Sequence, residues 1–135
     1  MEKYRSEYWQ VDLPVEWKVE VEDDVVSLFH PDSNGTLTFS AVREQQDISD
    51  EYIEELAAEH LDAGAELFDA EFDSFSGVTC CYDDDQEYWC EWYLCSGPVL
   101  LFITYSCPLD DEGEEEDVVE SILESLTARD SKNLH

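Results

Sequence analysis

Three segments typical of β-strands follow one another between Gly77 and Cys107, separated only by the short turns DDDQ and SGP. The segments are GVTCCY, EYWCEWYLC and VLLFITYSC, and turns this short join antiparallel neighbours. The third segment is apolar at every position from Val99 to Ile103, which predicts burial on both faces. We therefore expect an antiparallel meander whose last strand lies in the centre of a sheet.

The N-terminal third of the chain alternates apolar and polar residues with a period of two, which is the pattern of half-buried strands. EYWQVDLP and WKVEVE are predicted as strands separated by Pro14. DVVSLFH and TLTFSAVR are predicted as a hairpin, because the strong turn signal PDSNG lies between them. Together with the meander, these segments predict an antiparallel sheet of about six strands.

The segment ISDEYIEELAAEHLDAGAELF has the periodicity of an amphipathic helix. Ser49 precedes the helix as a natural N-cap, and Ile48 is placed to pack on Ile53 as a hydrophobic staple. Acidic residues in the first turn suit the helix dipole. The predicted apolar face consists of Ile53, Leu56, Ala57, His60, Leu61 and Gly64.

A second helix is predicted near the C-terminus, with an apolar stripe made of Val118, Val119, Ile122, Leu123 and Leu126. Seven carboxylates between Asp110 and Asp117 precede or open this helix, and Arg129 lies at its end. Because these signs match the helix dipole, the charge run needs no ligand to explain it. The predicted fold class is α+β: one domain over residues 1–135, ordered from about 4 to 129, with an antiparallel sheet sandwiched by helices.

The net charge of the chain is −30, from 36 acidic and 6 basic residues. No lysine or arginine occurs from Glu44 through Ala128. Binding to nucleic acid or to an anionic membrane depends on cationic side chains, so both are excluded for most of this surface. The chain is nevertheless 43% apolar and 13% aromatic, which predicts a folded domain and not a disordered acidic tail.

Three interpretations of this charge stay open at the level of sequence. The acidic residues serve as a solubilising surface, as an adaptation to a salt-rich host, or as a docking surface for something basic, including mimicry of a nucleic-acid backbone. The third interpretation leads to our principal hypothesis, a non-enzymatic adaptor or chaperone-like module that binds another protein with a basic surface. The sequence does not predict the oligomeric state of this module.

The cysteines and aspartates around the turn DDDQ suggest a metal site, but their spacing does not support one. Structural zinc is usually held by close pairs such as CxxC, and no CxxC occurs. Cys80 and Cys81 are adjacent, so in a strand they point to opposite faces. An EF-hand loop beginning at Asp83 would need glycine at its sixth position, where Tyr88 stands. No metal ligand and no cofactor are predicted.

A disulfide fits the predicted geometry better than a metal site does, because pairing across DDDQ brings Cys80 or Cys81 opposite the region of Tyr88 to Cys90. The exact register is not determined by the sequence. The N-terminus has no apolar signal region and no window is long enough to span a membrane, so we expect a reducing cytoplasm. The favoured prediction is therefore reduced cysteines that pack in the core as small hydrophobic residues.

No catalytic constellation is recognised, so the chain is not predicted to be an enzyme. A nucleophilic cysteine needs a base, and His60 is the only histidine inside a predicted element, on the apolar face of its helix. The alternative hypothesis is a small ligand-binding domain or hydrolase with an aromatic pocket between sheet and helix. Some of four aromatic residues would line that pocket: Trp89, Trp92, Tyr93 and Tyr105.

The order of elements resembles the PsbP-like superfamily, which includes Ran-binding Mog proteins, photosystem extrinsic subunits and small bacterial proteins. The resemblance lies in a strand that runs into a P-x-x-W turn at Pro14 to Trp17, then a strand that ends in the PDSNG turn, then the long helix, the meander and the final helix ending in SILESL. It implies an antiparallel sheet between helices and a role in docking to another protein. It implies no catalytic residue.

The charge interpretations differ in their response to salt. We expect the melting temperature to rise as potassium chloride is raised to about 0.15 M, where the Debye length is about 8 Å, and then to level off. Screening of self-repulsion is the cause. Thermal melts followed by circular dichroism from low to molar salt measure this, and a chain that is unfolded below molar salt would contradict it in favour of host adaptation.

Overall fold

The computed structural model describes residues 2–23, 25–62 and 66–129. In these ranges the chain forms ten strands, two α-helices and a short 3₁₀ helix at Leu109–Asp111. The strands and helices are β1 (Glu2–Arg5), β2 (Trp9–Leu13), β3 (Lys18–Glu22), β4 (Val25–Phe29), β5 (Thr36–Arg43), α1 (Asp50–Asp62), β6 (Phe68–Phe72), β7 (Phe75–Asp84), β8 (Glu87–Ser96), β9 (Val99–Pro108), α2 (Glu116–Glu124) and β10 (Thr127–Ala128).

Seven strands form the main sheet in the order β3-β4-β5-β9-β8-β7-β6, and all neighbours are antiparallel. The predicted hairpin β4–β5 and the meander β7–β8–β9 are both present. β9 lies between β5 and β8, which confirms its predicted central position. Its residues alternate between fully and partly buried, so the predicted burial on both faces is complete on one face only.

The two faces of the main sheet are covered by different elements. One face packs on a separate three-stranded sheet, ordered β1-β2-β10, and on α2; we call this side the α2 face. The opposite side, the α1 face, packs on α1 through Ile53 and Ala57, which contact Tyr93 and Cys95. The predicted α+β class agrees with this architecture. The predicted sheet of about six strands between helices is corrected, because a small sheet covers part of one face.

Three strands were not predicted from the sequence: β1, β6 and β10. β1 has the sequence EKYR and is mostly exposed, while β10 is only two residues long. Both are edge strands of the small sheet, and edge strands that bury little side-chain surface carry a weak sequence signal. β6, with the sequence FDAEF, does alternate apolar and polar residues, and it pairs with β7 at the edge of the main sheet; this signal was missed.

The start of α1 agrees with its predicted capping. The hydroxyl oxygen of Ser49 accepts a hydrogen bond from the backbone N–H of Tyr52 at 3.1 Å, which confirms the N-cap. Ile48 packs against the cluster that contains Ile53, as the predicted staple requires. The predicted face also included the side chains of His60 and Leu61 and all of Gly64, which lie outside the described residues.

α2 is shorter than its apolar stripe suggested. It buries Val119, Ile122 and Leu123, and Leu126 is buried just beyond its end. Arg129 was predicted at the C-terminus of this helix, but the helix ends at Glu124. Arg129 instead follows β10, and its guanidinium donates a hydrogen bond to the carbonyl of Ser6 at 2.6 Å.

Gly77 occupies a position in β7 where the neighbouring strand leaves no room for a side chain. It lies opposite Leu94 of β8, and a Cβ at this position would meet the backbone carbonyl oxygen of Tyr93. Because the obstacle is backbone inside a strand ladder, it cannot move aside as a flexible side chain would.

We predict that Gly77→Ala lowers the free energy of unfolding by about 1–3 kcal/mol, the usual cost of forcing extra atoms into a packed site. Urea denaturation measures this loss. Ser76→Ala, an exposed neighbour in the same strand, is the control and should change stability by no more than about 0.5 kcal/mol. Equal stability of the two variants would contradict the predicted close approach.

Candidate functional site

A cleft of about 440 Å³ lies on the α2 face, between α2 and strands β6 to β9. Its floor contains three aromatic side chains: Tyr88 and Trp92 from β8 and Tyr105 from β9. Tyr88 and Trp92 lie on one face because they are separated by an even number of positions in β8, and Tyr105 shares that face because it pairs in register with Cys90, which lies between them. The volume lies within the range typical of ligand pockets, about 300 to 1,000 Å³.

One wall of the cleft carries four exposed carboxylates, Glu112, Glu116, Glu120 and Glu124. The last three follow one another at four-residue spacing on α2, which places them on the same side of the helix about 6 Å apart along its axis. Burial raises the pKa of the Tyr88 hydroxyl, and the charges of Glu112 and Glu116 raise it further. The cleft is thus aromatic at its base and anionic along its rim.

A disulfide between Cys81 and Cys90 also lines the cleft. The two residues lie directly opposite each other in the β7–β8 ladder. The prediction that all cysteines are reduced is therefore wrong for this pair. The hairpin turn is the physical reason, because the strands are joined by only Asp85 and Gln86, both with positive φ, and this tight turn places Cys81 opposite Cys90.

The other three cysteines are buried free thiols, as the prediction of core packing required. Burial raises the pKa of Cys80, Cys95 and Cys107. Raised values keep these groups protonated and unreactive. Among the side chains that the structure describes, no group of three or more His, Cys, Asp or Glu residues is arranged to hold a metal ion.

The structure divides the four aromatic residues of the predicted pocket between the two faces of the sheet. Trp92 and Tyr105 line the cleft, whereas Trp89 and Tyr93 belong to the α1 face, because neighbouring strand residues point to opposite sides. Tyr88 lines the cleft but was not predicted. The alternation in the sequence would have grouped Tyr88 with Trp92.

A buried carboxylate on the α1 face was also missed by sequence reasoning. Glu91 is only 6% exposed and accepts hydrogen bonds from the hydroxyl of Tyr82 at 2.6 Å and from that of Tyr93 at 3.0 Å. Burial and the neighbouring Glu91 raise the pKa of both tyrosines, so they remain protonated donors. These bonds compensate for the removal of the carboxylate from water.

The N-terminal end of α2 is held against the sheet by a second carboxylate, Glu115. It accepts hydrogen bonds from the hydroxyl of Tyr105 at 2.8 Å and from that of Ser33 at 2.9 Å. Gly35 lies beside this group, where a Cβ would meet both Glu115 and Tyr105. The PDSNG turn therefore positions the helix that forms the anionic rim.

No family profile and no curated protein matches this chain by sequence. Solved structures do match. A protein from Bacteroides thetaiotaomicron superposes with a TM-score of 0.71 at 16% identity, over 98% of this chain, which spans 50% of the length of that protein. LpqN, involved in cell envelope biogenesis of Mycobacterium tuberculosis, superposes with a TM-score of 0.66 at 14% identity. The match covers 90% of this chain and 83% of LpqN.

Cyanobacterial PsbP from Synechocystis sp. PCC 6803 also gives a TM-score of 0.66, at 12% identity, covering 95% of this chain and 92% of PsbP. The chain has a PsbP-like fold. This agrees with the resemblance seen in the sequence, and at these identities the likeness concerns the fold alone. In the ranges described, neither helix of the PsbP-like fold is long and apolar enough to cross a membrane.

Thiol counting tests the cysteine assignment. Protein purified without reductant should show three reactive thiols in denaturant and five after reduction, because one disulfide removes two of the five. The folded protein should show fewer than three, since the free thiols are buried and have raised pKa values. Mass spectrometry after alkylation gives the count, and five thiols without reductant would contradict the disulfide.

Proposed function

We propose that this chain is a non-enzymatic binding module for a partner protein with a basic surface. The observation that carries this function is the distribution of charge over the PsbP-like fold. α1, strands β6 to β9 and α2 all lie between Glu44 and Ala128, where the sequence has no lysine or arginine. A partner of opposite charge would be steered toward this surface, and salt would weaken the encounter.

Several basic side chains of the described chain are already engaged within the molecule. Lys3 forms an ion pair with Asp12 at 3.1 Å, Arg5 donates to the side-chain oxygen of Gln10 at 3.2 Å, and Arg129 donates to a backbone carbonyl. These contacts lie on and beside the small sheet. They leave the many exposed carboxylates of α1 and α2 without lysine or arginine neighbours in their own helices.

Within the PsbP-like fold, we assign the chain to a small bacterial branch with an adaptor or chaperone-like role comparable to that of Mog-type proteins. The P-x-x-W and PDSNG turns support this assignment. A cytoplasmic location belongs to the same proposal. It requires that Cys81 and Cys90 be reduced in the cell or form their disulfide transiently, because stable disulfides persist in oxidising compartments.

The cleft favours a second candidate function, a small ligand-binding domain. Its volume of about 440 Å³ and its mixture of aromatic and carboxylate groups suit an organic cation. The hydrolase form of this candidate has less support. A cysteine nucleophile needs a lowered pKa, and burial raises the pKa of Cys80, Cys95 and Cys107.

Affinity capture with the full chain tests the binding function. We expect a specific partner of high isoelectric point to be retained at about 0.05 M potassium chloride and released at about 0.5 M, because the attraction is screened. An unrelated folded protein of similar negative charge serves as the control bait. The proposed function is contradicted if no partner is retained at either salt, or if both baits retain the same proteins.

A further inference from the structure

We infer that the cleft beside α2 is the docking site for an extended basic segment of the partner, with a lysine or arginine side chain seated against Tyr88 and Trp92 and paired with the carboxylates of α2. The inference rests on the proposed function, which supplies only the charge of the partner. It adds the site, the conformation of the bound segment and the chemistry that recognises it.

The floor of the cleft offers aromatic rings to a cation. Tryptophan and tyrosine rings attract ammonium and guanidinium groups that approach their faces. Trp92 lines the cleft and is 9% exposed, and Tyr88 lines it as a partly buried side chain. A lysine or arginine side chain that enters the cleft would meet these rings at the base and carboxylates at the rim.

The spacing of the rim carboxylates fits an extended chain. Glu116, Glu120 and Glu124 lie about 6 Å apart along α2. In an extended segment, side chains on the same side recur every second residue, or about 6.7 Å. Cationic residues at alternate positions would therefore meet successive carboxylates.

An exposed apolar side chain lies on the same face of the sheet as the cleft. Phe68 is 58% exposed on β6, and it lies in register with Thr79, which lies in register with Trp92. Residues that pair in register point to the same side, so Phe68 is on the α2 face together with the cleft. A peptide can use charged and apolar contacts at once, and a partner segment explains the exposed phenylalanine better than a small cation does.

Isothermal titration of the full chain with a blocked peptide of alternating glycine and arginine, carrying three arginines, tests this site at about 0.05 M salt. The test variant is Glu116→Gln/Glu120→Gln, and the matched control is Glu51→Gln/Glu55→Gln on α1. Both variants change the charge by the same amount at the same spacing on exposed helix positions. We expect about tenfold weaker binding or more for the α2 variant and less than about twofold for the control.

The outcomes separate this inference from the proposed function. Equal weakening of peptide binding by both variants would show that only diffuse charge matters and would overturn the cleft as the docking site. Absence of peptide binding to the unsubstituted chain would also overturn the cleft as the docking site. In either case the proposed function would still be supported if affinity capture retained a specific partner. Spermidine that binds as tightly as the peptide, with the same dependence on α2, would overturn the peptide segment in favour of a small organic cation.

The indole resonances give a second measurement that does not depend on charge variants. On addition of the peptide, the indole N–H signal of Trp92, assigned with Trp92→Phe, should shift in the proton–nitrogen correlation spectrum. Trp89 lies in the same strand but belongs to the opposite face, and its signal is the internal control. Equal shifts of both signals, or a shift of Trp89 alone, would contradict docking in the cleft.

Discussion

The stacking of Trp9 on Phe39 joins the two sheets, and the rest of the α2 face depends on this contact. The rings lie 4.3 Å apart at 16° to each other, and both side chains are fully buried. Phe39 belongs to β5, next to the central strand, while Trp9 begins β2. Because β10 follows α2 and pairs with β2, the small sheet also anchors the C-terminal end of α2 and so fixes one wall of the cleft.

Much of this fold could be predicted from periodicity, because the elements that were found bury one face. The β4–β5 hairpin, the β7–β9 meander and the capped start of α1 follow from alternation, turn residues and Ser49. The small sheet could not be predicted, since β10 has two residues and β1 buries almost nothing. Their pairing with β2 is a tertiary contact, and tertiary contacts leave little trace in short polar segments.

The candidate site was predictable only in part, for two physical reasons. Alternation separates Trp92 from Trp89, but which of the two lines the cleft depends on the face on which α2 packs, and that is a property of the whole fold. The Cys81–Cys90 pairing depends on a two-residue turn. Such turns are usually signalled by glycine or asparagine, whereas here Asp85 and Gln86 adopt positive φ. The β7–β8 register could therefore not be predicted from the residue types.

The unequal size of the two buried clusters implies that parts of the molecule unfold locally before the whole domain unfolds. α1 is held by the small cluster of Ile53, Ala57, Tyr93 and Cys95, while the sheets and α2 share the large one. α1 also carries acidic residues at four-residue spacing, Glu51 and Glu55, whose repulsion weakens the helix itself. Its amides are thus expected to exchange with solvent through local detachment while the sheet stays folded, which exposes α1 to proteases more than the strands of the sheet.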